Sequence, residues 1–388
     1  MNSDNILIEK CASHYDEMVK MLESVVNIDS KVDNPPGSAE VAHIFGEKLE
    51  KLGFDIEYRA GGDLPTHLYG IRKGGKEGAK TVLFMGHMDT VFDKGTAAER
   101  PFRIDGEKAY GPGVADMKSG ITSALFALQS LYETGWDDMD IICFFAGDEE
   151  CGHPKTDFKE QLMEIAKKVD FVFNFETGMD SGDMVVQRRG VLYPLLTVNG
   201  IAAHAGKDPD KGASAIKEIA YKISRLYELD DKERGINFNA GKIYGGIVDN
   251  GIAGFAQCEC DFRFDDSKDA PYILEKLQEV ATEVHVPKTK TTITVDDTRT
   301  FLPMEVVDGT MELFGLIQKQ AAKIGREVNP IKVGSGADSC WTTYVGTPTI
   351  CAMGGRGGLN HSDKEYLFID SLKDRSQIIA LTLKNYDL

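Results

Sequence analysis

A chain of 388 residues, 42% hydrophobic and 27% charged, has the make-up of a globular protein with room for two or three cores, which excludes fibrous and disordered classes. Its net charge of −18, with no Lys/Arg-rich run, argues against nucleic acid, whose phosphates need a basic face. Seven cysteines without a paired framework, no charged-then-apolar leader, and no apolar run near the ~20 residues of a spanning helix point to a reducing cytoplasm and away from membranes.

Residues 5–28 repeat apolar side chains at helical spacing, until Asn34, Pro35, Pro36 and Gly37 break the pattern into a loop. Val41, Ile44, Phe45, Leu49 and Leu52 make one stripe of a second helix that stops at Gly53. Strands follow at 54–58 and 67–71. Residues 81–86 are continuously apolar but too short for a helix, so they read as a buried strand of a parallel sheet. That strand delivers His87 and Asp89 at its carboxyl end, where open α/β sheets bind ligands. Residues 109–116 form a Gly-Pro loop before a helix at 117–131. Asp116 stands just ahead of that helix, where capping alone would explain it.

Apolar strands end in chemistry three more times. Residues 141–146 run into Asp148, Glu149 and Glu150; residues 170–175 run into Glu176; residues 348–353 lead through a glycine-rich stretch to His361. Between the third and fourth of these strands the character changes. Alternation at 191–198, 253–264 and 291–295, with helices at 213–229 and 270–284, is read as β-α-β-β-α-β with one strand not located among these segments, resembling a ferredoxin-like α+β unit. The expected architecture is α/β, a mixed and mostly parallel sheet flanked by helices. The inserted unit occupies 189–299, and residues 1–188 and 300–388 make one discontinuous domain, closed by helices at 306–324 and 369–386.

His87, Asp116, Glu150, Glu176 and His361 thus fall at successive loops of one crevice. Two imidazoles and three carboxylates suit two zinc ions with one carboxylate bridging. Two divalent cations against three carboxylates leave one positive charge, which a hydroxide cancels. Glu149 is not needed as a ligand and is free to take a proton from water. His14, His43, His67, His153 and His285 lack such company, and His153, between Gly152 and Pro154, reads as a loop residue. Cys258 and Cys260 read as packing, and Arg188 and Arg189 as a solvated hinge.

The segments His87-Met-Asp89-Thr-Val, Gly113-Val-Ala-Asp116-Met-Lys-Ser-Gly, Asp148-Glu149-Glu150, Phe175-Glu176 and His361-Ser-Asp-x-Glu resemble, in order over nearly the whole chain, the M20 family of co-catalytic zinc metallopeptidases. The likeness is strongest to its glutamate carboxypeptidase (carboxypeptidase G2-like) branch. The resemblance implies that Asp116 bridges, that His87 and Glu176 hold one zinc and Glu150 and His361 the other, and that the Asp116–Met117 peptide is cis. It implies that Asp89 orients His87 and that Glu149 is general base, then proton donor to the leaving amine, with bridging hydroxide as nucleophile. The inserted unit would be a lid and dimer contact whose His204 reaches the partner's site in a homodimer. Asn250, Arg263 and Arg299 would hold substrate, and Gly334 would line the pocket. Arg263, beside Asp261 and Asp265, is as well explained by an ion pair. The implied activity is release of a C-terminal, glutamate-like residue from a small peptidyl or N-acyl substrate, with cobalt or manganese as possible substitutes for zinc. An N-acyl amino acid deacylase or dipeptidase is the alternative. A metal-dependent binding protein without catalysis is a different class, against which the intact Glu149 speaks.

Overall fold

The computed structural model describes residues 2–386. It divides into two compact units: Met1–Gln187 with Val306–Lys332 and Trp341–Leu388, and Arg188–Glu305 with Val333–Cys340. Val333–Cys340 therefore belongs with the second unit, although it lies outside the 189–299 insertion.

The first unit is built on a six-stranded sheet in the order Asp55–Ala60, Thr66–Arg72, Asp140–Ala146, Thr81–His87, Phe171–Asn174, Thr349–Ile350. The last four are mutually parallel and the first two antiparallel, so the fold is α/β with a mixed sheet. Register places His87 opposite Ala146 and Met85 opposite Asn174. Three neighbouring strands therefore end together, and the residues just beyond them converge. The centre is dry: Val82, Phe84, Phe145, Phe173 and Phe175 are buried, with the Phe84 and Phe175 rings 4.9 Å apart edge to face.

Helix Lys118–Glu133 is buried on nearly every side, as is helix Ser371–Lys384 against it. Its buried hydroxyls are satisfied within the helix, Thr122 Oγ1 donating to Lys118 O and Ser123 Oγ to Ser119 O. A four-stranded sheet pairs Gly357–Gly358 with Tyr366–Phe368, and that strand with Lys108–Tyr110, which also pairs with Arg103–Asp105. This pairing draws residues 111–116 against residues 359–365.

In the second unit the order is Asn237–Gly245, Phe255–Phe264, Pro194–Asn199, Lys290–Val295, all antiparallel. Helices Ala215–Tyr227 and Asp269–Thr282 cover one face, burying Ile219, Leu226, Ile273 and Leu277 over Leu196, Val198, Cys258 and Phe262. With Asn237–Gly245 included, the chain runs β-α-β-β-α-β.

Local readings are corrected in three places. Pro35 and Pro36 open helix Pro35–Lys51 instead of forming a loop, because the first turn needs no amide donor from them. Residues 5–28 form two helices, Ser3–Ser13 and Tyr15–Val26, parted at His14. Strand Asn237–Gly245 has no counterpart among the segments read from the sequence, since most of its residues are exposed and carry no apolar alternation.

Candidate metal centre

His87 ends its strand with its side chain only 2% exposed. Its Nδ1 lies 3.1 Å from Asp89 O and 3.4 Å from Asp89 Oδ1, and its Nε2 lies 3.4 Å from Asp116 Oδ1 and 3.9 Å from Glu176 Oε1. On the other side, His361 Nε2 is 3.2 Å from Asp116 Oδ2 and 3.1 Å from Glu150 Oε2. Asp116 thus stands between the two imidazoles, one oxygen toward each. Ligand atoms of His87, Glu149 and Glu176 lie within 4.8 Å of one another, as do those of His87, Asp116 and Glu150. The five side chains expected as donors are gathered, and Glu149 joins them.

Asp116 does not cap the following helix, whose flanking residue is Met117 without a side-chain cap, and the Asp116–Met117 peptide is cis. Asp89 accepts the amide N–H groups of Glu149 and Glu150 on Oδ1 and Oδ2, each at 3.1 Å. Asp148 faces away from this cluster, bonding His153 Nδ1 at 2.6 Å and Thr156 Oγ1 at 2.8 Å. His153 is a loop residue with a positive φ of 56°.

Sequence patterns passed over two residues that build this geometry. Glu365 accepts N–H groups from Gly113, Ala115 and Asp116 at 3.0, 2.8 and 3.0 Å, gathering the loop around its buried carboxylate. Asn360 Nδ2 donates to Asp116 Oδ2 at 2.9 Å. Only the spacing of Glu365 in the His361-Ser-Asp-x-Glu segment could have flagged the first; nothing local flags the second.

The electrostatics suit cations. Asp116, Glu149, Glu150 and Glu176 are four carboxylates against two imidazoles, and only protons or cations can balance them. Burial would raise the Asp116 carboxyl, but the His361 and His87 imidazoles facing its two oxygens hold it well below the usual range. Hydrogen bonds to Asp116 and Glu150 push His361 up to about 11. Burial pushes Glu150 up. Buried Asp116 Oδ1 has no hydrogen-bond partner among the described residues, although carboxylate oxygens rarely stay bare away from water. An oxygen and nitrogen donor set with a bare buried oxygen at its centre fits divalent metal.

The second unit holds the remaining expected residues. His204 sits in the short strand Ala203–His204, and its Nδ1 accepts from Gly206 and Lys207 N–H at 3.2 and 3.1 Å. Asn250 O accepts from Ala205 N–H at 2.9 Å. Arg263 is bidentate to Asp261, with Nε–Oδ1 and Nη2–Oδ2 both 2.8 Å, and also bonds Tyr193 and Gly334 O. Arg299 lies 4.3 Å over the Tyr193 ring, at the wall of a cavity of about 720 Å³. Arg188 is buried and bonds Ser335 Oγ at 2.8 Å, so it is not a solvated hinge residue.

Residues 83–385 match Peptidase family M20/M25/M40. The chain belongs to this family. Among curated relatives of this M20 protein, carboxypeptidase G2 of Pseudomonas sp. (strain RS-16) is 31% identical over 386 residues, covering 97% of this chain and 91% of the relative. Succinyl-diaminopimelate desuccinylase of Polynucleobacter necessarius subsp. necessarius is 28% identical, covering 68% and 73%. Among solved structures, aminopeptidase PepT from Bacillus cereus superposes with a TM-score of 0.78 at 22% identity, covering 95% and 98%, a likeness of fold. The M20 chain is an enzyme, a metallohydrolase of amide bonds. No described helix is long and apolar enough to cross a membrane.

Proposed function

We propose that the protein is a dizinc carboxypeptidase that releases a C-terminal, glutamate-like residue from small peptidyl or N-acyl substrates in the cytoplasm. The observation that carries this reading is the division of Asp116, Oδ1 toward His87 and Oδ2 toward His361. His87 and Glu176 would hold one zinc, Glu150 and His361 the other, and Asp116 both. Zinc there supplies Lewis acidity toward a carbonyl oxygen and acidifies water. Glu149 takes the proton of the attacking water and returns it to the leaving amine. Asp89 fixes the His87 ring and, through two amide contacts, the turn that carries Glu149 and Glu150.

His204, with Nδ1 accepting backbone N–H groups, carries its proton on Nε2, the tautomer that donates to a developing oxyanion. It serves the partner's site in a homodimer made through the second unit, which acts as lid. Exposed Ile216 and Tyr227 beside the edge strand Asn237–Gly245 support that contact. Arg299 binds the terminal carboxylate, with Asn250, Arg263 and the Gly334 loop completing the pocket. Arg263 acts there through its Asp261 pair. Seven free cysteines suit a reducing compartment.

The likeness to carboxypeptidase G2 over nearly both chains supports release of a C-terminal residue. The desuccinylase relative favours a second reading, an N-acyl amino acid deacylase. A panel of N-acyl and dipeptide substrates differing only at the C-terminal residue separates them. Preference for a terminal glutamate supports the first reading; indifference to that residue overturns it. A Glu149→Ala variant should retain both zincs and lose turnover at least ~10²-fold. Turnover that survives the change removes the mechanism.

A further inference from the structure

Asn360 precedes His361, yet the reaction above makes no use of it. Its Nδ2 donates to Asp116 Oδ2 and to Thr177 Oγ1, both at 2.9 Å. The reversed amide would set a carbonyl oxygen against a carboxylate oxygen, so the donor must face Asp116. Thr177 Oγ1 donates in turn to Ala115 O at 3.0 Å. One side-chain amide therefore ties the residue after Glu176, the loop of Asp116 and the segment of His361.

The segment does not hold this shape by local preference. Leu359 and His361 have positive φ angles of 57° and 62°, a left-handed region that side chains with a Cβ rarely adopt. Ser362 Oγ donating to Leu359 O at 2.6 Å and the three amides gathered by Glu365 hold it instead.

The consequence falls on the Asp116 carboxylate. Oδ2 meets both Asn360 Nδ2 and His361 Nε2, whereas Oδ1, 3.4 Å from His87 Nε2, has no hydrogen bond among the described residues. The amide thereby sets the rotation of the carboxylate about its Cβ–Cγ bond. The two sides differ in how much they need this: the His87 side chain is 2% exposed and held by Asp89, while that of His361 is 54% exposed.

We propose that Asn360 is a positioning residue that, with Thr177, aims the Asp116 carboxylate and so governs uptake of a second cation on the His361 side. This rests on the ligand assignment above. The test titrates Co²⁺ into the metal-free full-length protein, followed by calorimetry and visible absorption. The wild type should take two equivalents in separable steps. Asn360→Ala should leave the first step unchanged, weaken the second 10–100-fold, the usual scale for an outer-shell partner, and alter the spectrum of the second equivalent only. Thr177→Val, which keeps its shape but loses the hydroxyl, should weaken the same step by a smaller factor. Two unchanged steps in both variants overturn the proposal, as does a parallel loss in both steps, the mark of a merely structural role. Fewer than two equivalents in the wild type would remove the dizinc reading and this proposal together, a result distinguishable from either variant's failure.

Discussion

Asp89 accepts the Glu149 and Glu150 amides on its two carboxylate oxygens while remaining fully buried beside His87. An asparagine keeps the shape but turns one acceptor into a donor, which then faces an amide N–H. Asp89→Asn should therefore leave a buried N–H unpaired at about 1–3 kcal/mol and lower turnover at least ~10-fold as the Glu149 turn shifts. Urea melts and steady-state kinetics check the two parts. If both are unchanged, Asp89 does not hold that turn.

Two helical glycines make opposite cases at the scale of elements. Gly120 lies in the first turn of helix Lys118–Glu133, and a Cβ there would run into the Phe175 carbonyl oxygen, just before Glu176. Backbone cannot move aside as a side chain tip can, so Gly120→Ala should cost about 1–3 kcal/mol and reduce activity by shifting Glu176. Gly315, inside helix Thr310–Lys323, has nothing within 4 Å of a built Cβ. Gly315→Ala should stabilise by about 0.5–1 kcal/mol with activity intact, since alanine loses less backbone entropy there. Thermal melts of the two variants should move in opposite directions, and movement the same way would refute the packing account of Gly120.

Across the whole molecule, Asp4 in the first helix pairs with Lys323 and Lys384, at 2.7 and 2.8 Å, in two late helices. Burial is the largest single effect and raises its carboxyl, but the hydrogen bonds and charges of the two ammonium groups together outweigh it and lower it to about 2. A carboxyl depressed on folding contributes stability above its unfolded value near 4, and loses that contribution as pH falls toward 2. Asp4→Asn should thus be less stable by about 1–2 kcal/mol at pH 6, discounted for partial exposure, and the gap should close between pH 4 and 2. Urea melts across that range measure it, and a gap that persists at pH 2 would assign the loss to something other than charge.

The same contrast between near and far decides what could be read from residues alone. Apolar runs that end in His87, Glu149, Glu150 and Glu176 are local: a buried parallel strand needs continuous hydrophobic residues, and the side chains just past its carboxyl end lie in the crevice. The sheet, the helices on it and the residues now gathered around Asp116 were legible for that reason. Strand Asn237–Gly245 was not, because an exposed edge strand carries no apolar period. The start of helix Pro35–Lys51 was hidden because proline is a breaker in mid-helix but harmless in the first turn. Composition and periodicity settled what most segments are. Only the tertiary structure decided which oxygen of Asp116 faces which histidine, that Glu365 gathers the loop around it, and that Arg263 is bound to Asp261. Those are contacts between groups distant in sequence or matters of side-chain rotation, and neither leaves a periodic trace in the order of residues.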